Sequence, residues 1–331
     1  MNTSATLYLV IPCYNEEAVL PQTAQCLGKK LAVLMRTERI SRDSRIALVD
    51  DGSTDGTWAL ISQLCSGKGA RLFCGIKLSH NAGHQAALLA GLMTVKDLCD
   101  AAITMDADLQ DDPDAIDRML DAFDAGDQIV YGVRSSRKTD SFFKRRTAEG
   151  FYRFMERMGA QVVYNHADYR LMSRQALDAL AEFPERNLFL RGMVPLIGLR
   201  SSKVYYERRE RAAGESKYPL GNMLHFAMEG VTSFSVKPLK IITNLGFLMV
   251  VVSIIMLLWA VAVKIFGLSV QGWSSTLCSI WFIGGLQTLC LGIIGEYIGK
   301  IYAEVKQRPR YIVETFLHGD VQDNTSQGEP S

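Results

Sequence analysis

The stretch Ala101-Ala102-Ile103-Thr104-Met105-Asp106-Ala107-Asp108-Leu109-Gln110-Asp111-Asp112-Pro113 decides how the chain is read. A short apolar run ends in two carboxylates flanking one small residue, and a run of helical spacing, Pro113–Phe123, follows. That order puts the acids at the carboxyl end of a strand, where α/β sheets bind their ligands. Asp112 is the expected N-cap of the helix, with Pro113 at its first position. Two carboxylates so presented can hold a hard divalent cation that also takes phosphate oxygens and waters, and Gln110 adds a neutral oxygen. An Asp-x-Asp triplet alone is weak evidence, because acidic loops and helix caps produce it often.

The surrounding sequence gives the triplet its context. Strands are expected at Leu7–Pro12, Arg45–Asp50, Arg71–Leu78, Ala101–Asp106 and Gln128–Val133. Helical spacing falls between them at Glu16–Met35, Thr54–Cys65 and His84–Leu98, the order of a mainly parallel sheet with crossover helices. Two further strand ends are polar, Tyr14-Asn15-Glu16 and Asp50-Asp51-Gly52-Ser53. Gly52 permits a tight turn and Thr54 or Asp55 caps the next helix, whereas the Asp50-Asp51 pair is in surplus and suits base N–H or ribose hydroxyl groups. There is no G-x-G-x-x-G after the first strand and no G-x-x-x-x-G-K-[ST], which argues against dinucleotide oxidoreductases and P-loop enzymes. A diphosphate here must be held by metal and side chains.

Among the 331 residues, 36 Lys and Arg stand against 35 Asp and Glu, a net charge of +1, so no bulk basic field invites nucleic acid. Seven cysteines without ligand spacing speak against a disulfide framework or structural zinc and for a reducing cytosol. The N-terminus lacks a basic region before its short apolar run, and no cleaved signal is expected. Charge-free runs at Ile241–Val263 and between Lys264 and Glu296 predict two membrane spans. Lys237 and Lys240 precede them and Lys300, Lys306, Arg308 and Arg310 follow, with only Lys264 between, so both ends are expected in the cytosol. Gly284, Gly285, Gly292 and Gly295 would suit helix association and a homo-oligomer. Helix-like pieces occur at Phe142–Met158 and Arg174–Glu182. A third, at Leu220–Val236, fits an interfacial helix or an amphipathic helix packed on the domain equally well. The expected division is 1–218 for the α/β domain, 219–238 for the juxtamembrane helix, 239–302 for the spans and 303–331 for a cytosolic segment whose tail, from His318, is disordered.

Val10-Ile11-Pro12-Cys13-Tyr14-Asn15-Glu16-Glu17, Asp50–Gly56, Asn81-Ala82-Gly83-His84-Gln85 and Asp106–Pro113 together resemble glycosyltransferase family 2, the GT-A fold. Ala167–Arg174, Arg211–Tyr218 and Gly295–Lys300 narrow the resemblance to the polyprenyl-phosphate branch, similar to bactoprenol glucosyltransferases and undecaprenyl-phosphate N-acetylglucosaminyltransferases and more distantly to dolichyl-phosphate mannose synthase. The resemblance implies Pro12, Tyr14, Glu16 and Asp51 at the nucleoside, with Asp106, Asp108 and Gln110 at Mg²⁺ or Mn²⁺ and the diphosphate. It implies Arg134 and Arg145 at phosphate groups of donor and lipid acceptor, and Arg211, Ser216 and Lys217 in a loop over the site. Asp168 matches a proposed catalytic carboxylate, and Asp108 and Arg134 join it in the catalytic set; His84-Gln85 receives no role. The implied reaction is inverting transfer of one sugar, glucose or N-acetylglucosamine, from a UDP-sugar to a polyprenyl (undecaprenyl) phosphate. It is placed on the cytosolic leaflet of the inner membrane by a multi-pass protein, ahead of a flippase or second transferase.

A polyprenyl phosphate is already an anion, so it needs little help from a base; Asp168 then orients Arg170 or the sugar. Lys144-Arg145-Arg146 is read as phosphate-binding. Two alternatives stand beside this reading. A processive polysaccharide synthase of the same fold would carry Q-x-x-R-W, and Trp58, Trp259, Trp273 and Trp281 lie in no such context. A non-catalytic, membrane-tethered nucleotide-binding scaffold would bind without releasing UDP.

Overall fold

The computed structural model describes residues 4–66, 70–135, 166–186, 188–207 and 273–318, and, between 239 and 259, those at 239, 242–244, 246–248, 251, 252, 254, 255, 258 and 259. They fall into two compact units, one drawn from Met1–Arg145, Val163–Lys217 and Pro309–Ser331 and the other from Arg146–Val162 and Tyr218–Arg308. The expected helices at Phe142–Met158 and Leu220–Val236 lie outside the described residues.

The first unit is a sheet with helices on both faces. Its strands are β1 (Leu7–Cys13), β2 (Arg45–Asp50), β3 (Phe73–Leu78), β4 (Ala101–Thr104), β5 (Ile129–Arg134), β6 (His166–Ser173), β7 (Ser201–Tyr206) and β8 (Val313–His318), in the order β7-β5-β6-β4-β1-β2-β3-β8. Helices α1 (Leu20–Arg36), α2 (Thr57–Ser66), α3 (His84–Val95), α4 (Ala115–Asp124), α5 (Arg174–Ala181) and α6 (Leu190–Leu196) connect them. Pairing is parallel for β1 with β2 and β4, β2 with β3, and β5 with β7; β6 runs antiparallel to β4 and β5, and β8 antiparallel to β3.

The period-two alternation of a strand explains why β1 is apolar throughout. Leu7, Leu9 and Ile11 pack with Leu20, Leu27 and Leu31 of α1 and Met119 of α4. Tyr8 and Val10 point the other way, where α3 lies so close that a Cβ on Gly91 would stand 2.4 Å from Val10 Cγ1 and 2.7 Å from Val49 Cγ2.

The five expected strands are present, four of them trimmed or shifted by one or two residues. Three more were not expected. β6 and β7 lie between residues 136 and 218, for which only helix-like pieces were expected, and β8 comes from the C-terminal segment, 303–331, left outside the α/β domain. Leu317 packs against the core, Glu314 pairs with Lys77 at 2.9 Å, and the Tyr8 hydroxyl hydrogen-bonds His318 Nε2 at 3.1 Å. The start of α4 also differs from expectation. Its N-cap is Asp114, while Asp112 Oδ1 accepts from Asp114 N at 3.2 Å and so caps the preceding turn.

In the second unit, α7 (Trp273–Lys306) has 34 residues. At 1.5 Å per residue it is about 50 Å long, more than a hydrocarbon core of about 30 Å. Its part Phe282–Lys306 is long and apolar enough to cross a membrane, and Phe282, Leu291, Ile298 and Ile301 are each at least 60% exposed. The described residues between 239 and 259 are helical as well, with Phe247, Leu258 and Trp259 exposed.

Gly91→Ala is expected to lower stability by about 1–3 kcal/mol through overpacking of Val10 and Val49. Thermal unfolding of the detergent-solubilised protein checks this; an unchanged melting temperature would mean that α3 does not press on β1 and β2 so closely.

Candidate active site

Six parallel strands end at one edge of the sheet, and the antiparallel β6 begins there, with Arg170 opposite Thr104 of β4 and His166 opposite Val133 of β5. Residues far apart in sequence therefore gather at that edge: Asp51 after β2, Asp106–Asp111 after β4, Arg134 at the end of β5, Asp168 near the start of β6 and Tyr206 at the end of β7.

The acidic turn is held from behind. Ala107 is buried in the core and its carbonyl accepts the Thr23 hydroxyl of α1 at 2.5 Å, while Asp106 and Asp108 on either side are half-buried. Asp108 Oδ1 accepts Gln110 N at 3.1 Å, and Leu109 between them sits at φ +54°, a left-handed conformation uncommon for such a side chain. Burial pushes the Asp106 carboxyl up to about 6; nearby Asp111, Asp168 and Asp108 push the same way and His84 opposes them.

Asp168, buried, is the best-connected carboxylate here. Arg191 grips it with Nε at 3.1 Å and Nη2 at 2.9 Å, buried Arg170 donates through Nη2 at 2.7 Å, and His84 Nε2 lies at 3.5 Å. Although burial favours the neutral form, His84, Arg191 and Arg170 together hold Asp168 well below the usual carboxylate range. So engaged, it is a poor proton acceptor and a good anchor. His84 opens α3 and bridges toward the acidic turn, its Nε2 3.7 Å from Asp106 Oδ1. Gln85 spans the same gap: its Oε1 accepts Leu190 N at 3.1 Å and its Nε2 lies 3.5 Å from Asp168 Oδ2.

On the other flank Arg134 donates Nε to the Tyr206 hydroxyl at 3.3 Å and Nη2 to Asp111 Oδ1 at 3.4 Å, and Tyr206 donates to the same Asp111 oxygen. Burial opposes the Arg134 charge, but Tyr206, Asp111 and Asp106 raise its pKa.

The residues expected at the nucleoside stand at or just after the ends of β1 and β2. Pro12 is buried in register with Val49, Tyr14 is exposed and Glu16 half-buried. Asp51 takes the amides of Ala82 at 2.7 Å and Gly83 at 3.0 Å, and Asn15 Oδ1 accepts Thr54 N at 2.9 Å. The Asp51 carboxylate, read as surplus, is thus also a brace that sets the loop before α3. Gly52 meets the expected need for a turn: at φ +67°, a Cβ there would stand 2.5 Å from Asn81 N.

Among the described residues no three His, Cys, Asp or Glu side chains are placed to hold a metal by themselves. Asp106 and Asp108, with Gln110 beside them, are a partial set of hard oxygen donors. That fits a cation whose remaining positions are filled by phosphate oxygens and water. Arg145, Arg211, Ser216 and Lys217 lie outside the described residues. His84, Gln85, Arg191, Tyr206 and Asp111 belong to the site although the sequence assigned them no role. The polar pair opening a helix at His84-Gln85 was the visible signal; the others depend on strand register, for Tyr206, and on tertiary packing, for Arg191 and Asp111.

Because Asp168 neutralises the buried Arg170, Asp168→Ala is expected to cost about 3–5 kcal/mol of stability. Asp108→Ala, at a half-buried turn, is expected to cost less than about 1 kcal/mol. Chemical unfolding in detergent compares the two; equal losses would show that Asp168 does not anchor the arginines.

Comparison with known proteins identifies the family. The pattern of Glycosyl transferase family 2 matches residues 8–181, and that of the GtrB C-terminal hairpin matches residues 237–301. The chain is 49% identical to the uncharacterized glycosyltransferase YkoT of Bacillus subtilis, over 95% of this chain and 93% of the relative. It is 36% identical to the bactoprenol glucosyl transferase of Shigella phage SfII, over 94% and 98%, and 37% identical to the prophage bactoprenol glucosyl transferase homolog of Escherichia coli K12, over 92% and 97%. A GT-A-like mixed sheet, an acidic turn at its carboxyl edge and a C-terminal apolar hairpin together place this chain in glycosyltransferase family 2.

Proposed function

We propose that the protein transfers a single sugar, with inversion at the anomeric carbon, from a UDP-sugar to the phosphate of a polyprenol such as undecaprenol on the cytosolic leaflet. The observation that carries this reading is the acidic turn Asp106–Gln110 flanked by Arg134, Asp168 and His84, in a chain whose relatives include bactoprenol glucosyl transferases. An oxygen of the lipid phosphate attacks the anomeric carbon as the bond to the diphosphate oxygen breaks, and the electron pair leaves with UDP. The nucleophile is already an anion, so no proton has to be removed, and an Asp168 held ionised by arginines is suited to positioning rather than base catalysis. Charge builds on the departing diphosphate, and there Arg134 supplies a fixed positive group. Asp106, Asp108 and Gln110 would hold Mg²⁺ or Mn²⁺, which when bound neutralises the same developing charge. Pro12, Tyr14, Glu16 and Asp51 are assigned to the nucleoside, and Arg145, Arg211, Ser216 and Lys217 to the diphosphate and acceptor.

Chain connectivity supports the membrane part of the reading. β7 precedes the apolar segment, β8 follows it, and both belong to one sheet. A segment that leaves and rejoins one folded unit starts and finishes on the same side of a bilayer, crossing it an even number of times. In this reading α7 is one crossing of the hairpin and the helical residues between 239 and 259 belong to the other, and the basic residues at both ends support a cytosolic sheet.

Membranes containing the protein are expected to move radiolabelled sugar from a UDP-sugar into solvent-extractable lipid when Mg²⁺ or Mn²⁺ is present, and not after EDTA. Asp108→Ala is expected to reduce transfer by about 10²-fold or more while the melting temperature holds. Label that stays water-soluble across a panel of nucleotide sugars would refute the reading.

A further inference from the structure

Arg134 is the cation nearest in role to the departing diphosphate, and its geometry is set by two side chains that are not themselves assigned to substrate. β5 and β7 pair in parallel with Arg134 directly opposite Tyr206. The Tyr206 hydroxyl receives Arg134 Nε at 3.3 Å and donates to Asp111 Oδ1, which also receives Arg134 Nη2 at 3.4 Å. Three elements thus close one triangle: the end of β5, the end of β7 and the turn after β4. The Tyr206 ring is fixed by an edge-to-face contact with Tyr169, centroids 5.3 Å apart, and the Tyr169 hydroxyl donates to the Asp112 carbonyl at 3.0 Å.

The triangle is a costly way to build a core. Asp111 is 1% exposed, and its Oδ2 is buried with no hydrogen-bond partner. A buried, half-satisfied carboxylate destabilises a fold, and an apolar residue of similar size would pack there without that cost. Such departures from good packing concentrate at functional sites. Arg134, by contrast, is partly exposed and close enough to feel the Asp106 charge, so the one corner of the triangle open to a ligand is the guanidinium.

We infer that Tyr206 and Asp111 are positioning residues that hold the Arg134 guanidinium beside the Asp106–Asp108 turn for a phosphate oxygen of the nucleotide. Neither touches substrate; both act through Arg134. The inference rests on the proposed nucleotide site but not on the identity of the lipid acceptor.

A double-mutant cycle on the full-length protein in detergent tests it, with UDP binding in the presence of Mg²⁺ measured by calorimetry. Arg134→Ala and Tyr206→Phe are each expected to weaken UDP by about tenfold, the scale of one hydrogen bond to a charged group. The double variant should be no weaker than Arg134→Ala alone, because the tyrosine acts only through the arginine. Phenylalanine keeps the ring contact with Tyr169, so the melting temperature should move by only a few degrees. If it falls much further, Asp111→Asn replaces Tyr206→Phe in the cycle with the same expectation. Additive losses, or a Tyr206→Phe protein that binds UDP as tightly as the parent, would overturn the inference. So would an Arg134→Ala protein with undiminished UDP affinity. A coupled cycle in a protein that moves no sugar into lipid would uphold the inference and refute the acceptor instead.

Discussion

Carboxylates crowd one edge of the sheet, among them Asp106, Asp108, Asp111 and Asp168, and their mutual repulsion is the constraint around which the site is arranged. Asp168 is clasped by Arg170, Arg191 and His84, and Asp111 by Arg134 and Tyr206. Asp106 is the member whose environment disfavours its charge, pushed by burial up to about 6. Gathered carboxylates of this kind favour added positive charge, because each raises the cost of ionising its neighbours. The arginines act as fixed counter-charges, Arg170 and Arg191 on Asp168 and Arg134 on Asp111, leaving the Asp-x-Asp turn as the place where a divalent ion and a diphosphate would settle together.

Local pattern made the parallel half of the sheet legible. Runs such as Leu7–Pro12 and Arg45–Asp50 are apolar, β-branched and bounded by polar turns, so period and punctuation agree. β6, β7 and β8 were harder. β6 carries Asp168 and Arg170 in its buried interior, which breaks the apolar signature because those charges satisfy each other across space. β7 is an edge strand with exposed Ser201, Lys203 and Tyr205, and β8 is a short edge strand divided from the sheet by the whole apolar segment. The site follows the same rule. Asp106, Asp108 and Gln110 are contiguous and visible as a motif, and Arg134 and Asp168 could be placed by resemblance. Tyr206, Arg191 and Asp111 gain their meaning from register and packing, which a single sequence does not display.

The return of the chain as β8 links the two units through sequence. The backbone carbonyl of Ile312 accepts Ser79 N at 3.0 Å, Arg310 donates to the Phe183 carbonyl, and Glu314 pairs with Lys77, whose neighbour in register is Asp50 at the end of β2. The residues that follow the apolar hairpin are thereby stitched to β3 and to the segment after α5. β8 also covers the outer edge of β3, which would otherwise present unpaired backbone groups for association.

The central claim is that the acidic turn takes a cation and a diphosphate as one unit, and Mn²⁺ binding to the full-length protein followed by electron paramagnetic resonance tests it most directly. The account predicts weak Mn²⁺ binding alone and an affinity at least about tenfold higher with UDP, a coupling of about 1.4 kcal/mol that must appear equally in UDP binding with and without the ion. Equal UDP affinity in the presence of Mn²⁺ and of a chelator would contradict it.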